Sequence, residues 1–165
     1  MHSDSRVYKI AILGGTFDHF HKGHEALLKK AAQTAEYLLI GLTTDEMGRR
    51  SKEHLISTYE ERERNLATYL KEQAVKRFSI FPITDPYGPA ITLKDIDVIV
   101  VSEETKVRAK EINVKRRKKG LKPLKIIAIR QVLAEDGKPI SSDRILKKII
   151  DRNGALMREW RLERH

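Results

Sequence analysis

The sequence predicts an α/β protein: a doubly wound, Rossmann-like sheet of five parallel strands with helices on both faces. Two patterns carry that prediction. Short apolar runs rich in β-branched residues alternate with longer segments of helical character. Each run is also apolar on both faces, as in parallel strands covered from two sides.

The strands fall at residues 7–13, 38–42, 78–83, 96–101 and 124–129, and the helices at 22–35, 58–73, 103–119 and 142–150. Right-handed crossovers between parallel strands then place ligands at the carboxyl ends of the strands. The loops after Leu13, Leu42, Ile83, Val101 and Ile129 are therefore where chemistry is expected. The last stretch, 151–165, is charged. Leu156 and Trp160 lie four apart on one helical face, so it reads as a C-terminal helix packed on the body through Trp160. With 165 residues, no internal repeat and no low-complexity linker, the chain is expected to be one domain (1–165) with a core at about 7–150.

Composition narrows the chemistry. There is no cysteine, which excludes a disulfide scaffold, a thiolate zinc site and a cysteine nucleophile. No stretch approaches the ~20 apolar residues that cross a bilayer, and the polar start is no signal peptide, so a soluble, cytoplasmic protein is expected. The net charge of +10 favours anionic partners. Most of the excess lies between Lys106 and Lys125, a run with a single acid, Glu111. It reads as an anion platform or as the solvated face of a helix that is polar all round. It lacks the interleaved aromatics of a nucleic-acid surface, so nucleic acid is not an expected partner.

The strongest local signal is Gly14-Gly15-Thr16-Phe17-Asp18-His19-Phe20-His21-Lys22-Gly23-His24, between the first strand and the first helix. It is neither a Walker A loop nor the Gly-x-Gly-x-x-Gly fingerprint. It still has the ingredients of a phosphate site. The glycines allow close approach. Thr16 and the backbone N–H groups can donate to phosphate oxygens. His21 and His24 share one side of a helix N-terminus, which favours anions. Gly23 leaves room for a flat base. Two histidines three apart could instead hold a metal, but that needs a third ligand, and only Asp18 is near in sequence. Ser141 or Ser142 would cap a later helix and aim a second N-terminus at anion.

His21-Lys22-Gly23-His24 after Gly15-Thr16-Phe17-Asp18 resembles the signature of the nucleotidyltransferase superfamily that includes class I aminoacyl-tRNA synthetases and small adenylyl- and cytidylyltransferases. Ile140-Ser141-Ser142-Asp143-Arg144-Ile145 is similar to its triphosphate-holding Ile-Ser-Ser-Thr stretch. Asp85-Pro86-Tyr87-Gly88-Pro89-Ala90, Val101-Ser102-Glu103-Glu104-Thr105, Thr43-Thr44-Asp45-Glu46-Met47, Tyr59-Glu60-Glu61-Arg62 and Ala134-Glu135-Asp136-Gly137 resemble stretches of the phosphopantetheine adenylyltransferases of archaeal and eukaryotic type.

The resemblance implies transfer of AMP from ATP to 4′-phosphopantetheine, giving dephospho-coenzyme A and pyrophosphate, with Mg²⁺ carried by ATP and no protein metal site. It implies that Thr16 and the Phe17 backbone orient the reacting phosphate, with His21 acting on the α-phosphate. Gly15, Gly23 and His24 would line the ATP phosphates, and Ser141, Ser142 and Arg144 would hold the β- and γ-phosphates. Arg108 would reach the triphosphate across the cleft. Lys52, with Arg49 and Arg50 as rivals, would supply a catalytic cation from a mobile loop after the second strand. Asp18, Asp85 and Tyr87 are candidates for the acceptor side, and a monomer is expected. Two departures stand out: Asp143 where the family favours Thr, and Arg108-Ala109 where relatives often carry a small Gly-containing pair. A sister transferase acting on FMN, nicotinamide mononucleotide or a sugar phosphate is the alternative. A non-catalytic nucleotide- or RNA-binding module is a third reading.

Overall fold

A computed structural model describes residues 6–51 and 55–159. All the predicted strands are present and all pair in parallel: β1 (Tyr8–Gly15), β2 (Ala35–Thr43), β3 (Phe78–Ile83), β4 (Val98–Ser102) and β5 (Lys125–Ile129). Their order is β3-β2-β1-β4-β5. The chain builds outward from β1 to one edge, then returns to β4 on the other side of β1. The topological switch point, where open α/β sheets bind ligands, therefore lies between β1 and β4.

Strand alternation supplies two cores. Ala11, Leu13, Leu38, Ile40, Val98 and Val100 face α1 (Lys22–Thr34) and α3 (Tyr59–Glu72). Ile12, Ile99 and Val101 face α4 (Lys106–Lys118) and a 3-10 turn at Gly88–Ile91. A third, smaller cluster of Ala134, Ile140 and Ile150 lies beyond the sheet.

The basic segment is not polar all round. Ala109, Ile112, Asn113 and Arg116 form a buried stripe on α4 at helical spacing. Asn113 pairs with the Leu124 backbone, its Nδ2 donating to the carbonyl at 2.9 Å and its Oδ1 accepting from the N–H at 2.7 Å. Arg116 is fully buried and donates to the carbonyls of Lys122 (2.7 Å), Ala90 (2.8 Å) and Leu93 (2.7 Å). One member of the run is thus a structural pin joining α4 to the turn before β4 and to the approach to β5. Burial pulls its pKa down, yet a guanidinium stays charged.

Four expectations are corrected. The segment after β2, predicted as a mobile loop, begins with a helix, α2 (Asp45–Ser51). Its signature was present: Thr44 Oγ1 accepts from the Met47 N–H, acids fill the first turn and Arg49-Arg50 the last. The helix predicted at 142–150 stops after one turn, α5 (Ser142–Leu146), because Lys148 takes a left-handed φ of 58°. That turn drives Ile150 into the third cluster, where it bridges Leu156 in antiparallel fashion. Residues 151–156 therefore form a returning turn rather than the start of a C-terminal helix, and Trp160 lies outside the described residues. The helix predicted at 103–119 opens with a separate 3-10 turn, Glu103–Thr105.

The third cluster is clamped by an ion pair between Asp136 and Arg144. Burial opposes ionisation of Asp136. The Lys138 N–H and the Arg144 guanidinium outweigh it and hold the carboxyl below the usual aspartate range. The stability this adds is complete above the unfolded aspartate value of ~3.9 and is lost as pH falls through the lower folded value. Urea midpoints of the wild type should fall on acidification from about pH 5 to pH 3, and Asp136→Asn should be less stable near neutrality and flatter over that range. Arg116→Ala should lower stability by about 3 kcal/mol or more in urea denaturation, because buried carbonyls lose their donors. Arg116→Lys should recover less than half of that, since an ammonium cannot span the carbonyls as a planar fork does.

Candidate active site

The loop leaving β1 is held in an unusual shape. Phe17 and His19 both adopt left-handed backbone, φ 51° and 45°. Phe17 turns its ring inward, 5.3 Å from the His24 ring. Gly15 packs against that ring, and a Cβ there would come within 3.3 Å of it. His21 then caps α1: its Nδ1 accepts from the Gly23 N–H at 3.0 Å, while His24 Nδ1 accepts from the His21 N–H at 3.1 Å. The two rings stack with centroids 3.7 Å apart. With each Nδ1 acting as acceptor, the neutral rings carry their proton on Nε2. A Cβ on Gly23 would lie 2.8 Å from His21 Cε1, so the glycine is required by the cap itself.

Arg62 holds this loop from behind. It is buried on α3, in the same stripe as Leu66 and Leu70. Its Nε donates to the Ser57 carbonyl (2.9 Å), Nη1 to the carbonyls of Thr16 (3.0 Å) and Thr43 (2.8 Å), and Nη2 to Asp45 Oδ1 (2.9 Å). Nη1 also reaches Thr43 Oγ1 at 3.2 Å, and that hydroxyl donates onward to Thr16 Oγ1 at 3.2 Å. Thr16 thus accepts from within the protein and keeps its own O–H available to a ligand.

Two cavities flank the loop. One, of about 280 Å³, lies at the ends of β1, β2, β3 and β4 and is lined by Gly14, Gly15, Thr16, Thr43, Met47, Phe81, Ile83, Tyr87, Thr105 and Arg108, among others. The other, of about 240 Å³, lies past the ends of β4 and β5, beside the starts of α1 and α5, and is lined by His21, Gly23, His24, Ser102, Glu104, Arg130, Gln131, Ser141 and Ser142, among others. A larger open groove of about 510 Å³ runs between α1 and α3. Its size does not make it the site: the motif's donors converge on the two smaller cavities.

The predicted residues sort accordingly. Thr16 and Gly15 face the first cavity, and His21, Gly23, His24, Ser141 and Ser142 face the second. Ser141 caps α5, its Oγ accepting from the Arg144 N–H at 3.2 Å. Arg108, expected on the triphosphate side, lines the first cavity instead, with Tyr87. Arg144 does not face either cavity: its guanidinium is engaged by Asp136 and the Pro139 carbonyl (3.1 Å). Asp18 is turned inward, its Oδ1 accepting from the Ser57 N–H at 3.1 Å, so it braces the loop. Asp85 builds the turn before the 3-10 helix, accepting from the N–H groups of Tyr87 and Gly88, both at 2.9 Å. Asp143 is 3.1 Å from Lys147 Nζ. Arg49 and Arg50 lie exposed on α2, Arg50 beside Glu46 at 3.5 Å, and Lys52 lies outside the described residues.

Sequence reasoning missed Arg62 and Thr43 as parts of the site's frame, and Arg130, Gln131 and Glu104 as cavity walls. Arg62 was detectable as a charged residue on the apolar stripe of α3, four residues before Leu66. Arg130 and Gln131 directly follow β5, where ligand loops are expected.

The cytidylyltransferase-like family matches residues 12–148. A phosphopantetheine adenylyltransferase of Methanosarcina barkeri is 47% identical over 152 residues, covering 90% of this chain and 92% of that one. A bifunctional phosphopantetheine adenylyltransferase/NTP phosphatase of Thermoplasma volcanium is 48% identical over 149 residues; the match takes in 90% of this chain but 45% of that protein, so the chain spans under half of its length. Among solved structures, a protein of unknown function from Archaeoglobus fulgidus superposes with a TM-score of 0.67 at 33% identity, over 73% of this chain and 88% of that one. With the family signature seated on a switch-point loop between two cavities, the chain belongs to the cytidylyltransferase-like family and, within it, to the phosphopantetheine adenylyltransferases.

Proposed function

We propose that this enzyme transfers AMP from ATP to 4′-phosphopantetheine, releasing pyrophosphate and forming dephospho-coenzyme A. The observation that carries this reading is the single loop, 14–24, presenting donors to two cavities at once. A reaction joining two anionic substrates needs that arrangement. The apolar first cavity suits the uncharged arm of the acceptor, and the second, with its histidines and serines, suits the nucleotide.

An oxygen of the acceptor phosphate attacks the α-phosphorus of ATP, and the bond from that phosphorus to the bridging oxygen breaks with pyrophosphate as leaving group. The nucleophile is already ionised near neutral pH, so no protein base or covalent intermediate is required. What the protein supplies is alignment and positive potential. Thr16, oriented through Thr43 and Arg62, donates to the acceptor phosphate. His21 and His24, fixed through Nδ1, present Nε2–H donors to the α- and β-phosphates. Ser141 and Ser142 hold the far end of the triphosphate. No group of three His, Asp or Glu side chains converges as a metal site among the described residues, and the donor set suits triphosphate oxygens. Mg²⁺ would enter on ATP, where it would neutralise charge on the phosphates. Lys52 remains the proposed loop cation. No helix among the described residues is long and apolar enough to cross a membrane. The enzyme is proposed to act in the cytoplasm as a monomer, with no nucleic-acid partner.

Pyrophosphate should be released from ATP and Mg²⁺ with 4′-phosphopantetheine and not with FMN or glycerol 3-phosphate; release only with another acceptor overturns the assignment. His21→Ala should lower kcat by ~100-fold or more while circular dichroism stays native, because a transition-state donor is lost. Gly23→Ala should push the His21 ring off its cap and cost about tenfold or more in kcat/KM with a melting shift of only a few degrees. A Gly23→Ala enzyme of normal activity would show that the cap does not set the ring's position.

A further inference from the structure

The first cavity contains one formal charge among its described lining residues. Its walls are aliphatic or aromatic side chains, glycines, the hydroxyls of Thr16, Thr43 and Thr105, the Tyr87 ring, and Arg108. The cations and the acid around it are committed elsewhere. Arg62 is held by carbonyls and Asp45, and Arg116 by three carbonyls. Glu111 accepts from the Tyr87 hydroxyl at 3.2 Å, and Lys115 Nζ sits over the Tyr87 ring at 4.7 Å. Arg108, in contrast, makes no hydrogen bond or ion pair with any described residue. Its charge is felt by the neighbouring Tyr87 phenol, which burial and Glu111 together keep protonated.

Helix geometry keeps Arg108 at this mouth. Thr105, Arg108 and Ile112 follow one another at three and four residues and line the same cavity, with the buried Ala109 beside them. An uncommitted guanidinium at the rim of an apolar recess, in the same recess as the Thr16 hydroxyl, makes that rim a place for an anion whose uncharged remainder fills the recess. The triphosphate belongs to the other cavity, which Arg108 does not line.

We propose that Arg108 is an acceptor-specificity residue: its guanidinium takes the phosphate of 4′-phosphopantetheine at the mouth of the first cavity, opposite Thr16. This rests on the reaction proposed above and assigns the two substrates separate cationic partners. Both phosphates must approach within bonding distance, and a cation dedicated to the acceptor offsets part of their repulsion without drawing on the donors that hold ATP.

The test is calorimetry of the whole protein with two probes, 4′-phosphopantetheine and pantetheine, which differ only in the phosphate, together with steady-state kinetics. Arg108→Ala should weaken 4′-phosphopantetheine binding about tenfold or more and raise its KM in step, as loss of a charge-assisted pair predicts. Pantetheine binding and the KM for ATP should stay within about twofold, since neither involves this pair. Arg108→Lys should fall between the two enzymes, retaining charge without the fork. Equal weakening of both probes, a rise confined to the KM for ATP, or no change at all would overturn the proposal. Wild-type protein that releases no pyrophosphate with 4′-phosphopantetheine would overturn the proposed reaction itself; wild-type turnover with an indifferent Arg108→Ala enzyme would overturn only the role of Arg108.

Discussion

The Arg62 guanidinium is the joint on which the site depends. It lies inside the protein, where an isolated charge is strongly disfavoured, and it persists because carbonyls from three segments and the Asp45 carboxylate surround it. Those acceptors come from the loop after β1, the end of β2, the start of α2 and the residues before α3. Only a planar fork of donors can serve so many directions at once. Removing it would leave buried carbonyls without partners, so its contribution reaches well beyond one ion pair. The left-handed Phe17 and His19 persist in the loop it anchors, as strained backbone does when its surroundings over-determine it.

From that joint the chemistry follows by geometry. The loop lies at the switch point of the sheet, so its two sides open into different cavities. The imidazoles are tied through Nδ1 to backbone N–H groups, which fixes both rings at the start of α1. Thr16 is oriented by a hydroxyl that is itself held by Arg62. Donors held in place in this way do not reorganise when charge develops beside them.

The end of the chain contributes more than a tail. The third cluster carries Ser141 and Ser142 to the wall of the second cavity and is fastened by Asp136 to Arg144 and by the Leu156 N–H to Glu135 (2.9 Å). It is also fastened to the first motif: the Lys22 N–H donates to the Arg152 carbonyl at 3.0 Å, and Arg152 pairs with Glu25 at 3.3 Å. The two motifs, more than a hundred residues apart in the chain, are thereby set on opposite walls of one cavity. Arg144 serves this fastening, which is why it lines neither cavity.

Local pattern alone determined a great deal here. The five strands, their parallel pairing, the long helices and the placing of the loops were legible because each run is apolar on both faces and each helix has a stripe. His21 and Ser141 were legible as helix caps because caps and glycines declare themselves within a few residues, and the structure brings them with His24 and Ser142 to one cavity. Tertiary structure alone decided the rest. Whether a charged residue faces solvent, a ligand or a carbonyl depends on partners distant in sequence, so Arg62, Arg116 and Arg144 became structural pins, and Arg108 came to line one cavity rather than the other. The same reason ended α5 early: a buried place for Ile150 outweighed the helical preference of the residues before it, and no local rule contains that place.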